Sequence, residues 1–246
     1  MSDRYAVVGN PVAHSKSPEI HALFARQTGQ DIEYSRLLAP LDGFVATVKE
    51  FVQNGGRGLN VTVPFKFEAF ALSDTLTERA KMAGAVNTLR FDGDVVSGDN
   101  TDGAGLVADI TRNAGFSLGG ARILLLGAGG AAYGVMLPLL EQKPQRLHVA
   151  NRSEDKARDM AQRFCAYGDI TVSSYENLDE PFDVVINATS AGLQNGMPPV
   201  SSRVFHENTL ALDMVYADRP TPFMICASKY GATVRDGFGK IGRAHV

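Results

Sequence analysis

Cysteine is scarce: the 246-residue chain has two, Cys165 and Cys226. They lie far apart without any Cys-x-x-Cys spacing, so neither a disulfide framework nor a zinc site is expected, and no metal is assigned. This fits a reducing cytoplasm. An excess of positive charge is also missing: 24 Lys and Arg stand against 27 Asp and Glu, for a net charge of −3. Neither nucleic acid nor an acidic membrane is expected as a partner, since both favour a basic face. No apolar run approaches the length of a membrane span. Met1 to Asn10 runs straight into a strand-like stretch, without the basic and long apolar regions of a signal peptide. No repeat or low-complexity tract is visible, which sets solenoids aside. What is present is an ordinary globular mix, 44% apolar and 21% charged, able to bury a core and pointing to small-molecule chemistry.

Strand-like and helix-like segments alternate almost throughout, the pattern of a parallel sheet with crossover helices. In the first part, Tyr5–Gly9, Ile32–Leu38 and Gly58–Val63 read as strands. Ser17 with Pro18 reads as an N-cap and first-turn proline, opening a helix that Gly29 stops. Asp92-Gly93 between short apolar runs signals a hairpin over Leu89–Ser97. Gly103 to Asn113 reads as a connecting helix, which puts the domain change near Asp102. The second unit then runs strand 121–126, helix 131–142, strand 146–150, helix 154–167, strands 183–188 and 210–215, helix 222–230 and strand 232–235. The expected organisation is a first domain over 1–102, a nucleotide-binding domain over 103–237 and a remnant over 238–246.

Arg122 to Leu126 is an apolar strand placed directly before Gly127-Ala128-Gly129-Gly130-Ala131-Ala132, and a helical pattern follows. This context gives the G-x-G-x-x-A spacing its force. Gly127 permits the tight turn, Gly129 lets backbone approach a pyrophosphate, and Ala132 permits close helix–strand packing. Pro138 inside the following helix predicts a kink. Where an NAD site carries an acidic residue, roughly 20 positions after the turn, this chain has Asn151-Arg152-Ser153. Arg152 offers a planar cation for a ribose phosphate; its alternative is a solvated loop arginine. Glu154 next to it is a carboxylate that could swing toward the ribose and allow some NAD use.

The first domain carries the unusual residues. Ser15 and Ser17 follow the first strand, just before a helix N-terminus, where hydroxyls and amides suit a carboxylate. Ser17 alone reads first as an N-cap. Asn60 and Thr62 alternate along a strand and so point to one side, as polar groups facing a cleft do. Lys66 lies just past that strand, where Pro64 begins a new helix, and would ordinarily be a surface charge. Asn87 and Asp102 complete a polar set at strand ends; Asp102 also fits a helix N-cap before Gly103.

Taken in order, GNPVAHSKSP, NVTVPFK, AGAVNT, GDNTDG, GAGGAA, ANRS, NATSAG and DMVY span nearly the whole chain. In this order and spacing the chain resembles the shikimate dehydrogenase family. The resemblance implies an α/β fold of two domains, an N-terminal α/β substrate domain and a doubly wound Rossmann-type NADP domain. It implies NADPH-linked, reversible reduction of 3-dehydroshikimate to shikimate, a step of chorismate and aromatic amino-acid biosynthesis, and is compatible with a homodimer. By resemblance, Ser15 and Ser17 hold the substrate carboxylate, and Asn60, Thr62, Asn87 and Asp102 bind ring hydroxyls. Lys66 and Asp102 form the catalytic pair, holding a proton near the reacting oxygen. Gly127, Ala128, Gly129, Gly130, Ala131 and Thr189 fall to the cofactor, and Asn151, Arg152 and Ser153 surround its 2′-phosphate. Met214, Tyr216 and Gly237 lie near the nicotinamide, Tyr216 also against the substrate. Rival readings are a quinate/shikimate dehydrogenase, an NADP-binding sensor on the same scaffold, and an inactive fragment of a true enzyme.

The resemblance stops near Gly239. There the family continues into a helix carrying a substrate-contacting glutamine, whose place Ala244 takes here. Ile241–Val246 reads as the translation of a sequencing adapter, so the natural chain is expected to run on, with apolar surface of the first domain left uncovered.

Overall fold

The computed structural model describes residues 2–194, 196–216 and 219–240. Ala244 and the rest of 241–246 lie outside them, and with them the expectations about the chain's end. The described residues fall into two units, within 2–102 and 103–240, each with its own six-stranded sheet. The short segment Gly237–Lys240 belongs with the second unit.

In the first unit the order is β1 (Asp3–Gly9), α1 (Ser17–Thr28), β2 (Ile32–Leu38), α2 (Phe44–Gln53), β3 (Gly56–Val61), α3 (Lys66–Leu72), β4 (Thr75–Leu76), α4 (Glu78–Ala83), β5 (Thr88–Asp92) and β6 (Val95–Asp99). The sheet order is β2-β1-β3-β5-β6-β4. Strands β2, β1 and β3 are parallel; β5 runs antiparallel to both β3 and β6. Strand β6 therefore points the same way as β1 and β3. The ends of these three strands and the start of β5 share one sheet edge, where every polar residue singled out in this unit gathers.

Alternation decides which face is core. Ala6, Val8, Leu59, Val61, Leu89 and Phe91 turn one face of the sheet onto Phe44, Val48 and Phe51 of α2 and Phe65 and Ala69 around α3. Burying a Phe or Leu side chain is worth about 1.5–3 kcal/mol, so this cluster anchors the unit. The β5–β6 hairpin forms at the expected Asp92-Gly93, with Gly93 at φ 59°. Helix α1 differs from expectation at its start: Lys16 is the N-cap, Ser17 is already helical, and no side chain caps the helix. The Ser17 hydroxyl instead meets Ser15. The extra short elements β4 and α4 are too brief to show a period in sequence.

The second unit continues with α5 (Asp102–Ala108), β7 (Arg122–Leu126), α6 (Gly130–Leu140), β8 (Arg146–Ala150), α7 (Glu154–Phe164), β9 (Ile170–Ser173), β10 (Val184–Asn187), β11 (Leu210–Asp213), α8 (Pro222–Lys229) and β12 (Thr233–Arg235). Its strands are all parallel in the order β12-β11-β10-β7-β8-β9, the doubly wound arrangement. Strand order reverses between β7 and β10, so the turn after β7 opens at the switch point where such sheets bind ligands. The connecting helix after Asp102 ends as a π-helical turn, Asp109–Asn113. Asp109 is 1% exposed there and takes hydrogen bonds from Arg235 (2.8 Å) and Asn113 (2.7 Å). Helix α6 runs through Pro138 to Leu140. Proline has no N–H to give the Gly134 carbonyl, and the backbone of Gly103 packs against this gap. A Cβ at Gly103 would stand 2.6 Å from the Gly134 oxygen and 2.4 Å from Pro138 Cγ, so only glycine fits.

No helix among the described residues is long and apolar enough to cross a membrane.

Candidate active site

At the edge of the first sheet, Lys66 and Asp102 form an ion pair with side chains 9% and 11% exposed. Lys66 is thus not the surface charge its position past a strand suggested. Asp102 opens α5, and its side chain turns to Lys66. Two charges out of water persist only with good geometry, and main-chain hydrogen bonds hold the backbone of both residues in place. The Lys66 carbonyl accepts from Val86 N–H (2.9 Å) and the Asp102 N–H donates to Asn100 Oδ1 (3.2 Å). Asn100 is itself tied through Nδ2 to the Ala85 carbonyl (2.9 Å).

Asn87 is buried and its amide clamps the same loop: Nδ2 donates to Thr101 Oγ1 (3.1 Å), while Oδ1 accepts from Thr101 N–H (3.1 Å) and Thr88 Oγ1 (2.8 Å). Asn60 accepts from Tyr34 Oη through Oδ1 and reaches Thr88 Oγ1 through Nδ2 (3.5 Å). Thr62 follows on the same strand line, its N–H on the Val8 carbonyl (2.9 Å). Ser15 and Ser17 are both buried, with Oγ to Oγ at 3.2 Å and the Ser17 N–H on Ser15 Oγ at 3.3 Å. The Ser15 carbonyl is gripped by Arg36 through Nε (2.9 Å) and Nη2 (2.6 Å), and Nη2 also meets Glu19 at 2.7 Å. The Arg36 hydrogen bond holds the Glu19 carboxyl below its ordinary range.

Tyr34 and Arg36 were missed in sequence. They alternate along β2 just as Asn60 and Thr62 do around the end of β3, so the same test of polar groups on one strand face finds them.

His21 of α1 is buried and stacks on Tyr34 with ring centroids 3.9 Å apart. Burial pushes it down to about 4. His148 in β8, bonded to Thr171 and Ser173, is lowered by burial and then by Arg146. Unfolded histidine titrates near pH 6.5. Both folded values lie below that, so this part of the stability is complete above about pH 6.5 and is lost as pH falls through the folded values. The urea midpoint is expected to drop between about pH 7 and pH 4.5, and His21→Gln to flatten part of the drop. A His21→Gln profile parallel to that of the unaltered protein would overturn this assignment.

In the second unit, Gly127 sits at φ +104°, and a Cβ there would press on Thr189 Cγ2 at 3.1 Å. Gly129 is the N-cap of α6 with no side-chain cap, and a Cβ on it would meet nothing within 4 Å. Ala128, Gly130 and Ala131 complete the turn, and the first amides of α6 take no side-chain cap, an arrangement that suits a phosphate anion. Beyond β8, Asn151 Nδ2 bonds the Ser153 carbonyl (2.9 Å) and Arg152 is exposed. Ser153 is the N-cap of α7 but makes no cap bond. Tyr175, buried and raised by that burial, takes a hydrogen bond from the Arg152 backbone. Glu154 is engaged along its own helix with Arg158 at 2.7 Å rather than turned to the loop.

At the ends of β10 and β11 a buried network forms. Asp213 accepts from Asn187 Nδ2 (3.1 Å), Thr221 Oγ1 (2.6 Å) and Val215 N–H (3.1 Å). Asn187 Oδ1 in turn accepts from Thr189 N–H (3.1 Å) and Oγ1 (2.7 Å). Met214 N–H bonds the Asn187 carbonyl, Gly237 N–H bonds that of Val215, and Tyr216 meets Phe238 edge-on. Thr189, Met214, Tyr216 and Gly237 are thereby brought to one end of this sheet.

Residues 7–89 match the shikimate dehydrogenase substrate binding domain, and residues 109–195 match shikimate / quinate 5-dehydrogenase. A shikimate dehydrogenase (NADP(+)) of Herminiimonas arsenicoxydans is 62% identical over 241 residues, 98% of this chain and 88% of that protein. The chain belongs to the shikimate dehydrogenase family. An Ael1 enzyme from Pseudomonas putida shares the fold with TM-score 0.89 and 42% identity, over 99% of this chain and 90% of that one. Shikimate 5-dehydrogenase from Thermus thermophilus, in complex with NADP(H) and shikimate, gives 0.86 and 32%, over 98% and 90%. As a shikimate dehydrogenase family member, the chain has the expected α/β architecture, with a mixed substrate-binding sheet and an all-parallel Rossmann sheet.

Proposed function

We propose that this chain reversibly reduces 3-dehydroshikimate to shikimate with NADPH, the activity its family name carries. The observation that supports it most is the buried Lys66–Asp102 pair, set at the sheet edge that also carries Asn60, Thr62, Asn87 and the Ser15–Ser17 pair. Bound NADPH supplies the hydride; the protein supplies position, charge and a proton. The Lys66 ammonium stabilises negative charge on the former carbonyl oxygen and donates a proton to it. Asp102 holds the Lys66 Nζ and accepts from a neighbouring ring hydroxyl. Asn60, Thr62 and Asn87 bind the remaining hydroxyls, and Ser15 and Ser17 the carboxylate. Gly127 to Ala131 cradle the pyrophosphate, Thr189, Met214 and Gly237 line the nicotinamide end, and Asn151, Arg152 and Ser153 take the 2′-phosphate. The test is dehydrogenation of shikimate and of quinate with NADP⁺ and with NAD⁺. Shikimate with NADP⁺ is expected to be the best pair; a preference for quinate or for NAD⁺ overturns the assignment.

The cofactor half has its own test. Arg152→Ala is expected to weaken NADP⁺ by about 1–3 kcal/mol, the scale of a charge-assisted hydrogen bond, and to leave NAD⁺ nearly unchanged. Equal loss for both cofactors would make Arg152 a structural residue.

A further inference from the structure

Strand β2 lies at the edge of the first sheet and carries none of the residues assigned to substrate, yet it holds two of them in place. Tyr34 and Arg36 are two apart and share a face, whereas Leu37 packs on the core cluster of the opposite face. Arg36 stands in register with Val7 of β1, and Val7 with Asn60 of β3. From this row the guanidinium sends both Nε and Nη2 to one acceptor, the Ser15 carbonyl. Two donors from one planar group fix the peptide plane after Ser15 more firmly than a lone ammonium would. That plane leads directly into the Lys16–Ser17 start of α1, and the two serines are bonded to each other.

Serine hydroxyls carry no charge. A carboxylate held between two of them leans on the helix N-terminus and on whatever cation is joined to that loop. Arg36, with its side chain 34% exposed, is joined to it, and Glu19 on the first turn of α1 shares the same Nη2. Glu19 thus opposes both the guanidinium charge and an anion at the helix start.

We propose that Arg36 is the positioning residue of the carboxylate end, making the site prefer an acid over its neutral analogue, and that Glu19 tempers this preference. The inference rests on the reading that Ser15 and Ser17 hold the substrate carboxylate.

Shikimate and its methyl ester are compared as substrates, with thermal melting of every variant as a check on folding. Arg36→Gln is expected to raise KM for shikimate about tenfold, with kcat within a few-fold and the ester little affected, so the acid-to-ester ratio of kcat/KM falls. Arg36→Lys should fall between the two, keeping charge without the fork. Glu19→Gln should move the ratio the other way, about two- to threefold in favour of the acid. A role in folding alone would lower kcat/KM for acid and ester equally in Arg36→Gln and leave Glu19→Gln without effect; either result overturns the proposal. Ser15→Ala and Ser17→Ala separate the two levels. If they leave the ratio unchanged, the carboxylate is bound elsewhere and the underlying reading falls with the proposal. If they lower it while Arg36→Gln does not, only the role of Arg36 falls.

Discussion

Lys66→Met is expected to lower kcat by about 10²–10⁴-fold while shikimate affinity stays within several-fold, because a proton donor acts on the transition state rather than on the bound substrate. Methionine keeps the length of the stem and removes the ammonium. It also leaves Asp102, 11% exposed at its side chain, without its cation, so the variant should melt lower as well. The two effects separate by measurement: turnover is compared well below the melting point, where the variant is folded. Asp102→Asn removes the other partner and tests the same pair. Near-normal turnover in folded Lys66→Met would end the catalytic assignment, whatever its stability.

The second large effect belongs to Asp213. Its side chain is fully buried and is the acceptor for Asn187, Thr221 and the Val215 N–H. Asp213→Ala leaves three donors in a dry environment, each costing about 1–3 kcal/mol when unmade, so a loss on the order of 3 kcal/mol or more is expected. Asp213→Asn keeps one oxygen and should lie between. The same network ties down Thr189 and Met214, so the milder variant should raise KM for NADP⁺ more than KM for shikimate. A loss of under about 1 kcal/mol in Asp213→Ala would show that these donors find other partners.

Much of this was readable in the sequence where a local rule acts alone. The apolar strand before Gly127 and the small residues after it specify a tight strand-to-helix turn through sterics within a few residues, and the structure has that turn. The Asp92-Gly93 hairpin is equally local. The briefest elements were not readable: β4 has two residues and α4 six, too few to show a period. Ser17 shows a second limit. A serine before a proline has the chemistry of an N-cap, and only the placement of Ser15 reveals that the hydroxyl is used otherwise. The meeting of Lys66 with Asp102, 36 positions apart, depends on which strands share an edge. No spacing rule reaches that far, and resemblance alone anticipated it.

Helix α6 begins on a residue with no side chain to accept its first amides. On the proposed reading the acceptor comes from outside, as the dinucleotide phosphates. Resistance of the second unit to heat and to proteases is then partly borrowed from its surroundings: ligand at one hundred times its Kd adds about 2.7 kcal/mol. An empty molecule opens more readily and is removed sooner, and a loaded one persists. The melting temperature and protease resistance of this unit are therefore expected to climb with the concentration of the phosphorylated dinucleotide, although no residue of the protein changes.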